Sequence, residues 1–178
     1  MLKVLVVEDE ELIRKGIVLA IDWAALDCVV VGEAANGVEA LEAAERLEPS
    51  LIITDLKMPQ MDGLEMLRRL RERGNNVYTI ILTAYDSFEY AQTALRLGAV
   101  DFLLKPFRDG ELEEAVLALK KKIGDGEGAQ EAPMLYQLKK GDKSKYVLEA
   151  MDYIGAHYSE PGIGVAAIAE HLGISDGV

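Results

Sequence analysis

The sequence predicts a doubly wound α/β fold: a five-stranded parallel sheet with helices on both faces and right-handed crossovers, followed by an α-helical C-terminal extension. Three observations carry this prediction. Five short apolar runs, 4–7, 29–31, 51–53, 80–82 and 102–104, are each too short for a helix, and β-branched residues dominate most of them. Amphipathic helical patterns lie between them, so strand and helix alternate five times in about 123 residues. None of the runs alternates apolar with polar, so both faces of each strand are expected to be buried, as in a parallel sheet.

The first strand follows Met1-Leu2-Lys3 directly, with no signal-peptide pattern. The first helix, about 10–20, places Ile13, Ile17 and Ala20 on one stripe. Trp23 and Cys28 read as packing residues, and a thiol opening an apolar strand is expected to be buried and inert. The second helix, about 37–47, carries Leu41, Ala44 and Leu47. The third opens at Asp62, a good N-cap with Glu65 three residues on, and stops near Gly74. The fourth repeats that grammar with Asp86, Glu89 and Gly98. The fifth, about 109–123, ends in Lys120-Lys121-Lys122, cations suited to a helix C-terminus and expected to be solvated.

Residues 124–133 hold three glycines, three acids and a proline, the composition of a flexible linker. Beyond it Val147, Met151, Ile154 and Tyr158 recur at helical spacing. Pro161-Gly162 breaks that pattern, and a short helix over 165–172 is closed by Gly173. The organisation expected is a domain over 1–123, a linker over 124–142 and a further region over 143–178.

With 50% apolar and 28% charged residues, the chain can bury a core, and wholesale disorder is excluded. The net charge is −12, with 15 basic against 22 acidic residues in 1–123 and 4 against 9 in 124–178. Neither part offers a general basic surface for nucleic acid. No apolar run approaches the ~20 residues that span a bilayer. One cysteine excludes an internal disulfide framework and suits a reducing cytoplasm. His157 and His171 have no companions at ligand spacing, so no metal site is read there.

Ligands of doubly wound sheets sit outside the carboxyl ends of the strands. Strand one ends in Glu8-Asp9, strand three in Asp55, strand four in Thr83-Ala84 and strand five in Lys105-Pro106. Three carboxylates, a hydroxyl and an amine therefore converge on one rim. Two carboxylates ~4 Å apart repel by about 4 kcal/mol at an effective dielectric of ~20, so one is protonated or a cation binds. Oxygen ligands without His or Cys favour a hard ion such as Mg²⁺. Such a pocket suits metal-assisted phosphoryl chemistry, with an aspartate as nucleophile and Lys105 neutralising the transferred group.

Four segments, V-L-V-V-E-D-E, I-I-T-D-L-K-M-P-Q-M-D-G-L, I-I-L-T-A-Y and G-A-V-D-F-L-L-K-P-F, stand in this order over the first 123 residues. Taken alone, Asp55 reads as a turn residue, Thr83 as a strand-end hydroxyl and Phe102 as core. Together the segments resemble the receiver domain of two-component response regulators. The resemblance implies a flavodoxin-like sheet of order 2-1-3-4-5. It implies Asp55 as phosphoacceptor, with Glu8, Asp9, Asp55 and the backbone carbonyl of Lys57 holding Mg²⁺. It implies Thr83 and Phe102 as switch residues, Lys105 as the catalytic lysine, and Pro106 in a cis peptide. The first acid is Glu8 where Asp is commoner.

Residues 163–175, I-G-V-A-A-I-A-E-H-L-G-I-S, resemble the first helix and turn of an AraC/YesN-type helix-turn-helix, and residues 146–158 resemble its leading helix. Ile21-Asp22-Trp23 is similar to receivers that carry this output domain. Gly164 stands where Ser or Thr usually caps, and the recognition helix that would enter the major groove is not in the sequence. The 178-residue chain is therefore not expected to hold a specific operator. The function expected is a cytoplasmic, phosphorylation-dependent response regulator with a transcriptional output. Its partners would be a sensor histidine kinase, a second copy on phosphorylation, and DNA only in a form with a complete helix-turn-helix, with no membrane. It acts on itself, a signalling protein rather than an enzyme. The alternative is a stand-alone receiver acting through protein binding. A haloacid-dehalogenase-like phosphatase needs an acid two residues after its nucleophile, where this chain has Lys57.

Overall fold

The computed structural model describes residues 1–84 and 88–124. Apart from Gly124, the expected linker lies outside the described residues, as do the helix-turn-helix resemblance, both histidines and the Asp86 cap. The elements are β1 (Leu2–Val7), α1 (Glu11–Ala20), β2 (Cys28–Ala34), α2 (Gly37–Leu47), β3 (Leu51–Asp55), α3 (Gly63–Glu72), β4 (Tyr78–Thr83), α4 (Phe88–Arg96), β5 (Asp101–Leu104) and α5 (Glu111–Gly124). The five strands form one parallel sheet in the order β2-β1-β3-β4-β5.

Burial follows position in that sheet. Val4–Val7, Leu51–Ile53 and Ile80–Leu82, on the three central strands, are essentially inaccessible to solvent. The expectation that every strand is buried on both faces fails at the edges. β2 is largely half-buried, and β5 alternates from buried Leu103 to exposed Leu104. An edge strand has a neighbour on one side only, and its apolar content alone does not reveal that position.

Side chains alternate across a strand, so successive residues feed two cores. Leu5, Val7 and Ile52 pack with Leu41 of α2 and with Met66 and Leu70 of α3. Ile81 packs with Leu67 of α3 and Ala94 of α4, and half-buried Phe102 lies against the same cluster. Val4, Val6, Ile53 and Leu82 point to the other face. That face is left for α1 and α5, whose Ile17, Val116 and Leu119 are buried.

The caps explain where the helices begin and end. Asn36 accepts from the amides of Val38 and Glu39, both at 3.0 Å, while the Glu39 carboxylate reaches back to the Ala35 amide and the Asn36 side chain. Asp62 accepts from the Glu65 amide at 2.8 Å. Gly74 and Gly98 follow α3 and α4 with φ of 73° and 78°. α5 begins two residues later than expected, because Gly110 takes φ 87° and interrupts the helical path.

Lys120 corrects the expectation of a solvated lysine run. Its Nζ donates to the Leu26 carbonyl at 2.7 Å and to Asp27 at 3.0 Å, fastening α5 to the loop before β2. Cys28 is buried, its thiol donates to the Leu26 carbonyl, and burial pushes its pKa up. Buried Trp23 donates its indole N–H to the Val18 carbonyl at 3.1 Å.

Candidate functional site

The sheet order sets the site. β1 and β3 are adjacent, as are β3 and β4, and β4 and β5. Their registers pair Val7 with Thr54, Asp55 with Leu82, and Thr83 with Leu104. The residues leaving each strand therefore share one rim, and the Lys105 amide donates to the Thr83 carbonyl at 2.6 Å.

Carboxylate oxygens of Glu8, Asp9 and Asp55 lie within 4.8 Å of one another. Glu8 is fully buried, Asp55 nearly so, and Asp9 exposed. Lys105 reaches in over the group, with Nζ 2.6 Å from Glu8 Oε2 and 3.0 Å from Asp55 Oδ1. Burial pushes the Glu8 carboxyl up from its ordinary value, against the Lys105 ammonium that holds it down. For Lys105, burial favours loss of the proton, but the bonds to Glu8 and Asp55 outweigh it and raise the ammonium above its usual range. Lys105 is therefore charged at neutral pH, one cation among three acids.

The donor set fits a hard divalent cation. Glu8 Oε1 is the buried side-chain polar atom without a hydrogen-bond partner among the described residues. A buried carboxylate oxygen left unpaired costs ~1–3 kcal/mol or more, and a cation beside Asp9 and Asp55 would satisfy it. Oxygen ligands of this kind suit Mg²⁺.

The structure brings Glu8, Asp9, Asp55 and Lys105 together and places fully buried Thr83 at the end of β4 beside them. The Lys105–Pro106 peptide is cis. Phe102 is half-buried within β5, two strands from Asp55, and pairs in register with Ile81 of β4. The Lys57 ammonium sits 4.4 Å from the centre of the Tyr90 ring, a cation–π contact joining the loop after Asp55 to α4.

Two further residues shape the site, and sequence reasoning passed over both. Gly63 lets the start of α3 lie on β3, since a Cβ there would stand 2.4 Å from the Asp55 carbonyl oxygen. Arg14 donates from Nη1 to the Glu8 carbonyl at 2.5 Å. The glycine in M-D-G-L was readable as a close approach. Arg14 carried no signal beyond being a cation one turn past an acidic pair.

Fold and rim together define a doubly wound α/β protein with an acidic pocket at the carboxyl ends of its strands. The response regulator receiver domain model matches residues 4–117, and the chain belongs to that family. It is 37% identical over 126 residues to the uncharacterized transcriptional regulatory protein YesN of Bacillus subtilis (strain 168), which covers 68% of this chain and 34% of that protein. It is 30% identical over 183 residues to the transcriptional regulatory protein HptR of Staphylococcus aureus (strain NCTC 8325 / PS 47), covering 99% of this chain and 71% of that one. The receiver domain of AraT, a response regulator from Geobacillus stearothermophilus, superposes with a TM-score of 0.65 and 44% identity over 71% of this chain and 98% of that one. The chain thus spans about a third of YesN and most of HptR. Among the described residues no helix is long and apolar enough to cross a membrane.

Proposed function

We propose that this chain is a phosphorylation-controlled response regulator whose Asp55 accepts a phosphoryl group from a sensor histidine kinase with Mg²⁺ at Glu8, Asp9, Asp55 and the Lys57 carbonyl. One observation carries the reading: a nearly buried Asp55 shares a pocket of carboxylates with a charged Lys105 and an unpaired Glu8 oxygen. An Asp55 oxygen attacks phosphorus, the P–N bond of the phosphohistidine breaks, and its electron pair returns to the imidazole, which takes up a proton. Bound Mg²⁺ supplies positive charge against the phosphoryl oxygens. Lys105, already within reach of Asp55, stabilises the same charge from the protein side.

The added phosphoryl group carries ~−1.5 to −2 charge. Thr83 would be drawn towards it and Phe102 would fill the space behind, reshaping the face of α4, β5 and α5. Moving such an equilibrium from 1:99 to 99:1 takes ~5.5 kcal/mol, within reach of several charge-assisted contacts. The reading extends to a receiver over 1–123, a linker over 124–142 and an AraC-type output region from 143, acting in the cytoplasm. Dimerisation follows phosphorylation, and a complete helix-turn-helix binds DNA. The match to HptR along nearly the whole chain supports a transcriptional output over a stand-alone receiver.

Incubation with acetyl phosphate and Mg²⁺ should give an acyl phosphate labile to acid, base and hydroxylamine, seen as a shifted band on a phosphate-affinity gel. Asp55→Asn keeps the fold and loses the band. A shifted band on the Asn variant would reassign the nucleophile.

A further inference from the structure

We propose that Arg14 is a positioning residue for the Glu8–Asp9 pair, and through it for the cation pocket. This rests on the reading of that pocket as a divalent-cation site. Residues 8–11 are four consecutive acids, Glu8, Asp9, Glu10 and Glu11, which repel one another as the chain turns from β1 into α1. The helix cap does not restrain them, since Glu10 at the N-cap makes no side-chain capping bond. The restraint comes from one turn further on. The Arg14 amide donates to the Glu10 carbonyl at 2.9 Å, and its guanidinium reaches past the turn to the Glu8 carbonyl at 2.5 Å.

A peptide group is planar, so fixing the Glu8 carbonyl also fixes the plane of the Asp9 nitrogen. That sets where the Cα of Asp9 stands, and hence where its exposed carboxylate meets those of Glu8 and Asp55. The other side of the guanidinium is anchored on β2. Arg14 Nε lies 3.3 Å from Glu33 Oε2, and Glu33 pairs in register with Val6 of β1. Lys15 holds the other Glu33 oxygen at 2.7 Å, and the Lys15 hydrogen bond is the largest influence keeping the Glu33 carboxyl below its ordinary range. The anchor is therefore ionised at neutral pH. Only 14% of the Arg14 side chain is exposed, unlike a guanidinium in a loose surface pair. A forked donor can hold a backbone oxygen and a carboxylate at once, whereas an ammonium is a single point.

Charge alone predicts the opposite outcome. A cation close to the pocket opposes another cation, so removing Arg14 without loss of order would tighten Mg²⁺ binding. Positioning predicts that binding weakens, and groups that orient metal ligands typically change affinity by ~10–100-fold when removed.

The test is calorimetric titration of the unphosphorylated 178-residue chain with MgCl₂ at fixed ionic strength, with melting temperatures recorded in chelator. A wild-type chain that binds no Mg²⁺ defeats the cation reading itself. With wild type binding, Arg14→Met should weaken Mg²⁺ about 10-fold. Arg14→Lys should recover part of that loss. Glu33→Ala, remote from the pocket, should weaken binding in the same direction but by less than the ~10-fold expected for Arg14 itself. Unchanged or tighter binding in a folded Arg14→Met overturns the proposal. If that variant does not fold, unchanged binding in Glu33→Ala overturns it instead.

Discussion

Asp101 stands outside the pocket, yet it is the residue on which pH should act most visibly. Its carboxyl is buried at the start of β5, and burial pushes its pKa from 3.8 up to about 7, against the Phe102 amide that donates to it at 2.8 Å. Lys122 holds it down slightly and Glu111 raises it slightly. The folded state therefore keeps a proton that the unfolded chain releases near 3.8, and stability falls as pH rises from there to about 7. The span sets an upper bound of roughly 4 kcal/mol. Asp101→Asn should raise the denaturant midpoint at pH 8 and keep about half that gain at pH 5.5. A gain independent of pH would mean that Asp101 is ionised in the fold. At this scale the convergence of Glu8, Asp9, Asp55 and Lys105 was legible in the sequence, because each ends a strand or lies within two residues of one whose end the topology fixes. It did not reveal Arg14, Lys120 or the state of Asp101, which depend on how far a side chain reaches across elements.

At the scale of elements, the join between β3 and α3 carries the site. The Gly63 amide donates to the Leu56 carbonyl at 2.9 Å, and the glycine lies directly on the Asp55 carbonyl. Gly63→Ala must move either α3 or the backbone of the proposed phosphoacceptor. Overpacking of this kind costs ~1–3 kcal/mol, a fall in melting temperature of roughly 3–15 °C for a domain of this size. Acetyl-phosphate labelling should slow as well, because the same backbone carries Asp55. A variant that melts and labels like wild type would show that the approach is slack. The start of α3 was legible from its cap Asp62, and that of α2 from its apolar stripe, with the Asn36 cap supplied by the structure. The start of α5 was not, because Gly110 shortens it through a backbone angle that composition does not encode. Edge strands escaped for a related reason: apolar content gives the strand, and its neighbours give the burial.

At the scale of the molecule, alternation of five apolar runs with five helical patterns was enough to place the acids on one rim. The strand order needed the resemblance as well, since βαβ alternation alone permits other windings. Concentrating acids at that rim has a thermodynamic consequence. Glu8, Asp9 and Asp55 hold three carboxylates against one lysine, and Glu8 Oε1 is unpaired. A cation that binds only the assembled pocket stabilises the fold by RT ln(1 + [L]/Kd), about 2.7 kcal/mol at 100 times Kd. Mg²⁺ should therefore raise the melting temperature by roughly 5–15 °C, while NaCl at equal ionic strength does much less. General screening by salt acts on the whole surface of a chain with net charge −12, so the comparison separates a site from an atmosphere. Asp9→Asn, which changes an exposed side chain, should leave the melting temperature in chelator nearly unchanged and remove most of the Mg²⁺ increment. An equal shift from Mg²⁺ and from matched NaCl, or an increment that survives in Asp9→Asn, would place the ion elsewhere on the surface.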